Sequence, residues 1–253
     1  MMNYLKSEAY RVTHTKELYM TAGIIAVLVI MLNGVLSIWG RRYAVTSFSY
    51  SNLVANPMVF VMAGTVIAYI LYEDSHKNGS LKNTVASGIS RVKIFAGQCL
   101  VSAAAATLIM TVTLVCWIVS AELLLEHAGP VILDDLLLEV PMVYLLSVAG
   151  LICGIAFLEI FEKNVSGIIA WFLIWFAVPK IFMYLALRFE AFYPTAMWMP
   201  SNFFGINSMQ VNMQNCLTIW DSAAGMVRCV ASGIIGIIIF AAVGTLAVRK
   251  KDL

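Results

Sequence analysis

The side chains able to do chemistry in this 253-residue chain are few, and where they fall excludes several reactions. His14, His76 and His127 are the only histidines, and all three lie outside the apolar runs. Hydrolysis within a membrane needs a base or a metal ligand at depth, so an intramembrane protease with a Ser/His or paired-His arrangement is excluded on position. Glu159 and Glu162 stand one turn apart, a spacing that can hold a cation, yet no histidine or cysteine joins them. Cys99, Cys116, Cys153 and Cys229 fall in or beside apolar runs, Cys216 sits in a loop, and no CxxC spacing suggests zinc. GxxxxGK[ST] is absent, so the chain does not itself carry the phosphate-cradling loop of an ATPase. Lys180, behind Pro179, is the one basic residue well inside an apolar run. Either it faces a translocation path and meets an anionic or amphipathic substrate, or its ammonium snorkels to the interface.

The elements that must position these groups are membrane spans. Mean hydropathy is +0.88, 61% of residues are hydrophobic and 12% charged, too apolar for a solvated globule. Runs long enough to cross roughly 30 Å of hydrocarbon occur at 18–39, 53–72, 95–123, 140–161, 165–187 and 226–248. The expectation is an all-α membrane protein with one transmembrane domain over 1–253. Residues 1–17 read as an amphipathic surface helix with Leu5, Ala9, Val12 and Tyr19 on its apolar side. The first span is too long for a cleavable signal peptide. Six spans put both termini on one side. That side would carry Lys6, Arg11, Lys16, Lys77, Lys82, Arg91, Lys93, Lys163, Arg249, Lys250 and Lys251, the opposite loops only Arg41, Arg42 and Arg188. Both termini are therefore expected in the cytoplasm.

The outer loops differ in kind. Residues 122–140 hold Glu122, Glu126, Asp134, Asp135 and Glu139 without a Lys or Arg, and Gly129-Pro130 divides them into two expected short helical pieces. Residues 188–225 alternate aromatics and Met with Asn and Gln, as suits an outer interface or a segment that dips partway in. Within the spans, Asn33 reads as an inter-helix hydrogen bond, Asn56-Pro57 as a helix start or kink, and Ala103 to Ala106, Gly233 and Gly236 as close-packing positions. Trp171, Trp175 and Phe182 make the fifth span aromatic, for lipid contact or inter-helix packing, or else as a greasy wall for substrate. Asn56, Trp171, Trp175, Lys180 and Phe182 are the substrate-path candidates.

The polar stretch from Glu73 to Lys93 joins the second and third spans. Leu81, Val85 and Ile89 recur at four-residue spacing, Gly88 suits a helix end and Ser90 an N-cap, so a short helix is expected there. Glu73, then Asn78-Gly79-Ser80-Leu81-Lys82, then Ile89-Ser90-Arg91, then Gly97, together with the basic end Arg249-Lys250-Lys251-Asp252-Leu253, resembles the permease subunits of ATP-binding cassette exporters of the type-2 permease family. Gln98 departs from the pattern, where the family usually has lysine. The resemblance implies that this stretch is a coupling helix docked on a partner ATPase through Glu73, Asp74, Lys77, Gly79, Ser80, Leu81, Lys82, Val85 and Arg91. It implies a second permease copy, identical or similar, and a path lined by spans two and five. ATP and magnesium would be bound by the partner, with no cofactor in this chain. Lipids are the remaining expected partner, and no nucleic acid is expected. The implied function is export of an antimicrobial peptide, drug or lipid across a bacterial plasma membrane. The alternative is an ion-coupled transporter working alone, against which stand the missing internal repeat and the lack of an acidic mate for Lys180.

Overall fold

Backbone groups in hydrocarbon have no water to bond, so the apolar runs fold as helices. The computed structural model describes residues 2–77, 85, 88–161, 164–207, 209–211 and 216–250. In chain order the helices are α1 (Met2–Thr13), α2 (Lys16–Trp39), α3 (Thr46–Val54), α4 (Met58–Lys77), α5 (Arg91–Leu124), α6 (Leu133–Ile160) and α7 (Asn164–Phe172). A π-helical turn (Leu173–Ala177) leads into α8 (Val178–Arg188), followed by α9 (Tyr193–Met197) and α10 (Pro200–Asn207). A small antiparallel hairpin, β1 (Met209–Val211) and β2 (Cys216–Thr218), pairs Met209 with Thr218 and precedes α11 (Ala223–Lys250). Among the described residues five helical stretches are long and apolar enough to cross a membrane: α2, α5, α6, α7 through α8, and α11. A sixth is present if α3 and α4 form one span bent by 68°. This is the architecture of an all-α, multi-pass membrane protein.

The bend has a local cause. Pro57 cannot donate a backbone bond, and the chain turns over Asn56, whose N–H donates to the Leu53 carbonyl while its own carbonyl accepts from Val59. The expected single run at 53–72 is therefore two helices. The longer is α4, and α3 lies across the end of the bundle, where Ser49 and Tyr50 are buried. In place of two short pieces, the acidic stretch extends the spans themselves: α5 runs on to Leu124 and α6 begins at Leu133. The link between them is held extended, with Thr46 N–H donating to the Glu126 carbonyl and Glu126 N–H to Ala44. Gly129 turns it at φ +106°, and a side chain there would collide with Ser47, whose Oγ accepts from Val131 N–H.

Helix α6 is the centre of the bundle: 78% of its apolar window is buried, against 11% for α2. Small residues bring α11 onto it. A Cβ on Gly233 would stand 2.8 Å from the backbone carbonyl carbon of Leu145 and 2.9 Å from the amide nitrogen of Leu146. Asn33, wholly buried in α2, donates to the Trp117 carbonyl (3.2 Å) and Ser120 Oγ (2.8 Å) and accepts from Ser49 Oγ (2.7 Å). It is the inter-helix bond expected, and it joins α2, α3 and α5.

One end of the bundle is closed by α1, and the other by α3, α9, α10 and the turn Ile219–Asp221. In α1 the buried residues are Glu8 and Val12, while Ala9 and Tyr19 of the expected apolar side are exposed. A carboxylate can occupy that stripe because Arg11 neutralises it, with Nη2 2.6 Å from Glu8 Oε1. At the opposite end Phe203, Phe204, Ile219 and Trp220 turn inward and join the buried cluster of α6 and α11 as a cap.

Candidate functional site

An opening suited to a ligand lies where α7 and α8 leave α11 beneath the cap. Pro179 lacks the N–H that an α-helix would return to Trp175, and the preceding turn is widened: Val178 N–H donates to Leu173 O, five residues back. Asn202 of α10 donates to the Pro179 carbonyl at 2.6 Å and to the Ala196 carbonyl at 3.1 Å, fastening the cap to the start of α8. Between these pieces is a cleft of about 430 Å³ walled by Trp175, Pro179, Trp198, Met199 and Phe240. Its volume falls within the range of small-molecule sites, about 300–1,000 Å³. Polar character comes from Thr195 and Ser232, and Ser232 Oγ donates to the Trp198 carbonyl at 3.3 Å. Ile235 and Ile239 line it and are half exposed on the outside of α11, so the cleft opens sideways, toward lipid in a bilayer. Such a surface accepts acyl chains or apolar side chains.

The substrate-path candidates divide around this cleft. Trp175 forms its wall, and Trp171 lies behind it, buried, with Nε1 donating to the Gly150 carbonyl at 3.0 Å. The two rings pack 6.0 Å apart, and Trp175 also meets Phe240 at 5.8 Å. These tryptophans therefore pack inside the bundle and do not face lipid. Lys180 is exposed, its Nζ close to Gly205 of α10. Phe182 stands edge-on to Phe192 in the approach to the cap. Asn56 is exposed at the α3–α4 bend, with Nδ2 bonded to the Asn52 carbonyl. The structure thus brings Trp171 and Trp175 together and leaves Asn56, Lys180 and Phe182 apart from them.

The expected coupling stretch is described only in part. Residues 78–84, which include Gly79, Ser80, Leu81 and Lys82, lie outside the described residues, as do the side chains of Glu73, Asp74 and Lys77. Val85 is half-buried, and Gly88 adopts φ +85° with its N–H donating to the Val85 carbonyl, as a helix-ending glycine does. Ser90 is extended ahead of α5, its carbonyl accepting from Lys93 and Ile94, and Arg91 opens the helix. Gln98 is buried, and its backbone carbonyl accepts from Tyr72 Oη at 3.3 Å.

Both flanks of this stretch are held by α1. Arg11 Nη1 donates to the Leu71 carbonyl of α4 at 3.0 Å, and its guanidinium lies 5.1 Å from the centre of the Tyr72 ring. On the other flank Tyr4 Oη reaches the Ile94 carbonyl at 3.5 Å, and its ring occupies the space a side chain at Gly97 would need. Burial, then the charge of Glu8, pushes the Tyr4 hydroxyl well above its usual range, so it stays a neutral donor.

Two features escape a reading of spacing alone. The first is this clamp, because pairing Glu8 with Arg11 lets Glu8 take the place expected of Ala9 beside Val12 on the buried face of α1. The second is Glu139, assigned to an outer loop by its acidic neighbours but completely buried in α6. A signal for it was present: Leu136, Glu139, Val143 and Leu146 recur at three, four and three residues, the stripe of a buried helix face. Neither carboxylate oxygen of Glu139 has a hydrogen-bond partner among the described residues. Among the described residues no cluster of His, Cys, Asp and Glu is arranged to hold a metal. No family model, curated protein or solved structure matches this chain.

Proposed function

We propose that the chain is the membrane-spanning permease subunit of an ATP-driven exporter of the ATP-binding cassette class. In this reading residues 73–93 and both termini face the cytoplasm of a bacterial plasma membrane, and the cap faces outward. A separate ATPase holds ATP and magnesium and docks on the stretch. A second permease copy, identical or similar, completes the transporter. The reading rests on the resemblance in residues 73–97, and the observation that supports it best is the clamp by α1. Leu71 and Tyr72 before the stretch and Ile94 and Gly97 after it are bound to one surface helix, so a push on the stretch moves α4 and α5 as a unit. The aromatic cleft beside the π-helical turn suits a hydrophobic or amphipathic cargo such as a peptide, drug or lipid.

The test is co-purification with the cassette ATPase encoded beside this chain, followed by ATP-dependent transport in proteoliposomes. Leu81→Asp with Val85→Asp should abolish co-elution while the permease keeps its melting temperature. Failure of the wild-type pair to associate, with transport unaffected by the double substitution, would refute the reading. The second reading, an ion-coupled transporter working alone, draws on the buried carboxylate of Glu139. It requires transport that survives without ATPase or nucleotide and stops on adding an uncoupler.

A further inference from the structure

Glu139 sits where its charge has nothing to meet. Leu136 and Val143, one turn to either side, are sealed in the cluster that contains Cys229 of α11 and Phe203 and Trp220 of the cap. Among the described residues the charged groups of the surrounding elements are otherwise engaged. Arg228, the cation in the first turns of α11, carries its guanidinium over the Phe203 ring at 5.8 Å. Tyr50 of α3 donates to Glu122. On its own helix, Asp135 accepts from the Ile132 N–H at 2.8 Å; in the turn before α11, Asp221 accepts from the Thr218 N–H. Asp134 is a further acid one turn away, and Cys229 is a buried thiol, so neither supplies a positive charge. An ionised carboxylate without a partner in an apolar interior is avoided by neutralising it.

In the cap Trp220 Nε1, Thr218 Oγ1, Ser201 Oγ and Asn202 Oδ1 are, like both oxygens of Glu139, buried without a hydrogen-bond partner among the described residues. The closed cap keeps these polar groups from water together, and lifting it would return them.

We propose that Glu139 is a proton-binding site that couples the cap to pH. The carboxyl takes up one proton from water as Phe203 and Trp220 close over it, and returns that proton to water when they lift. The sign follows: low pH favours the closed cap, and each rise in pH within the titration range favours opening by up to about tenfold per unit. This is a property of the single chain and does not depend on the exporter reading, so it can be tested without an ATPase.

The full-length protein in lipid nanodiscs supplies the test. Cys229 is buried in the same cluster and becomes reactive toward a water-soluble maleimide when the cap opens, with the modified site located by mass spectrometry. Dividing the wild-type rate by the E139Q rate at each pH cancels ionisation of the thiol. The ratio is expected to rise with pH, by up to about tenfold per unit where Glu139 titrates. A ratio independent of pH overturns the proposal. Should E139Q fail to fold, infrared spectra of the wild type decide. A carboxylic C=O band in the folded protein at neutral pH, lost on alkaline titration, supports protonation, and the absence of any such band overturns it.

Discussion

Replacing Arg11 with alanine removes two interactions within α1 that neutralise the buried Glu8 and two that hold α1 to the bundle. They are the ion pair to Glu8 at 2.6 Å, a longer bond from Nε to the same carboxylate at 3.3 Å, the bond to the Leu71 carbonyl at 3.0 Å and the stacking on Tyr72. The Arg11 side chain is 37% exposed, so the ion pair is held to about 1 kcal/mol. The charge-assisted bond to a carbonyl adds about 1.5 kcal/mol and the cation–π contact about 0.5 kcal/mol. The total of about 3 kcal/mol shifts the undocking of α1 by roughly a hundredfold, at about 1.4 kcal/mol per factor of ten. Hydrogen exchange at the amides of α1 reads this directly, and R11A should exchange about a hundredfold faster than wild type while the amides of α6 are unchanged. The paired variant E8A/R11A should regain part of the loss, because it no longer leaves the Glu8 carboxylate, whose side chain is 11% exposed, without its cation. If R11A exchanges within about threefold of wild type, the clamp is not what docks α1, and the mechanical argument built on it falls.

Two further predictions concern the helix contacts. Asn33→Leu removes three bonds, each contributing roughly 0.6 kcal/mol between membrane helices, and should destabilise the protein by about 2 kcal/mol in denaturant titration. A double-mutant cycle of Asn33→Leu with Ser49→Ala should show coupling, and strict additivity would mean that the network adds nothing. Gly233→Ala drives a Cβ against the backbone of Leu145 and Leu146 and should cost about 1–3 kcal/mol in thermal unfolding. Gly23→Ala, with nothing within 4 Å, is its control and should cost nothing by crowding.

The fate of particular residues shows why some features were legible. Asn33, Gly233 and Asn56-Pro57 were readable because a polar, a small or a helix-breaking residue within an apolar run has few physical uses. The aromatic run was read less well. Periodicity showed Trp171 and Trp175 on one helix but not which neighbour they faced, and packing against α6 and α11 buries both. The acids at 134–139 were misassigned because composition places a span boundary at the nearest charge, whereas α6 begins at Leu133 and buries Glu139.

Local sequence determined that the chain is helical and that several of its helices are long and apolar enough to cross a bilayer, because hydrocarbon leaves backbone groups no other partner. It also marked residues 73–93 as the polar interruption between two of those runs. Tertiary packing alone decided that α6 is central, that Glu8 and not Ala9 faces inward, and that Glu139 lies under a cap with no partner. The reason is that a helix's apolar period specifies a buried face but not the element that covers it. Whether a charge on that face is paired by Arg11 or sealed beneath Trp220 depends on residues distant in the chain.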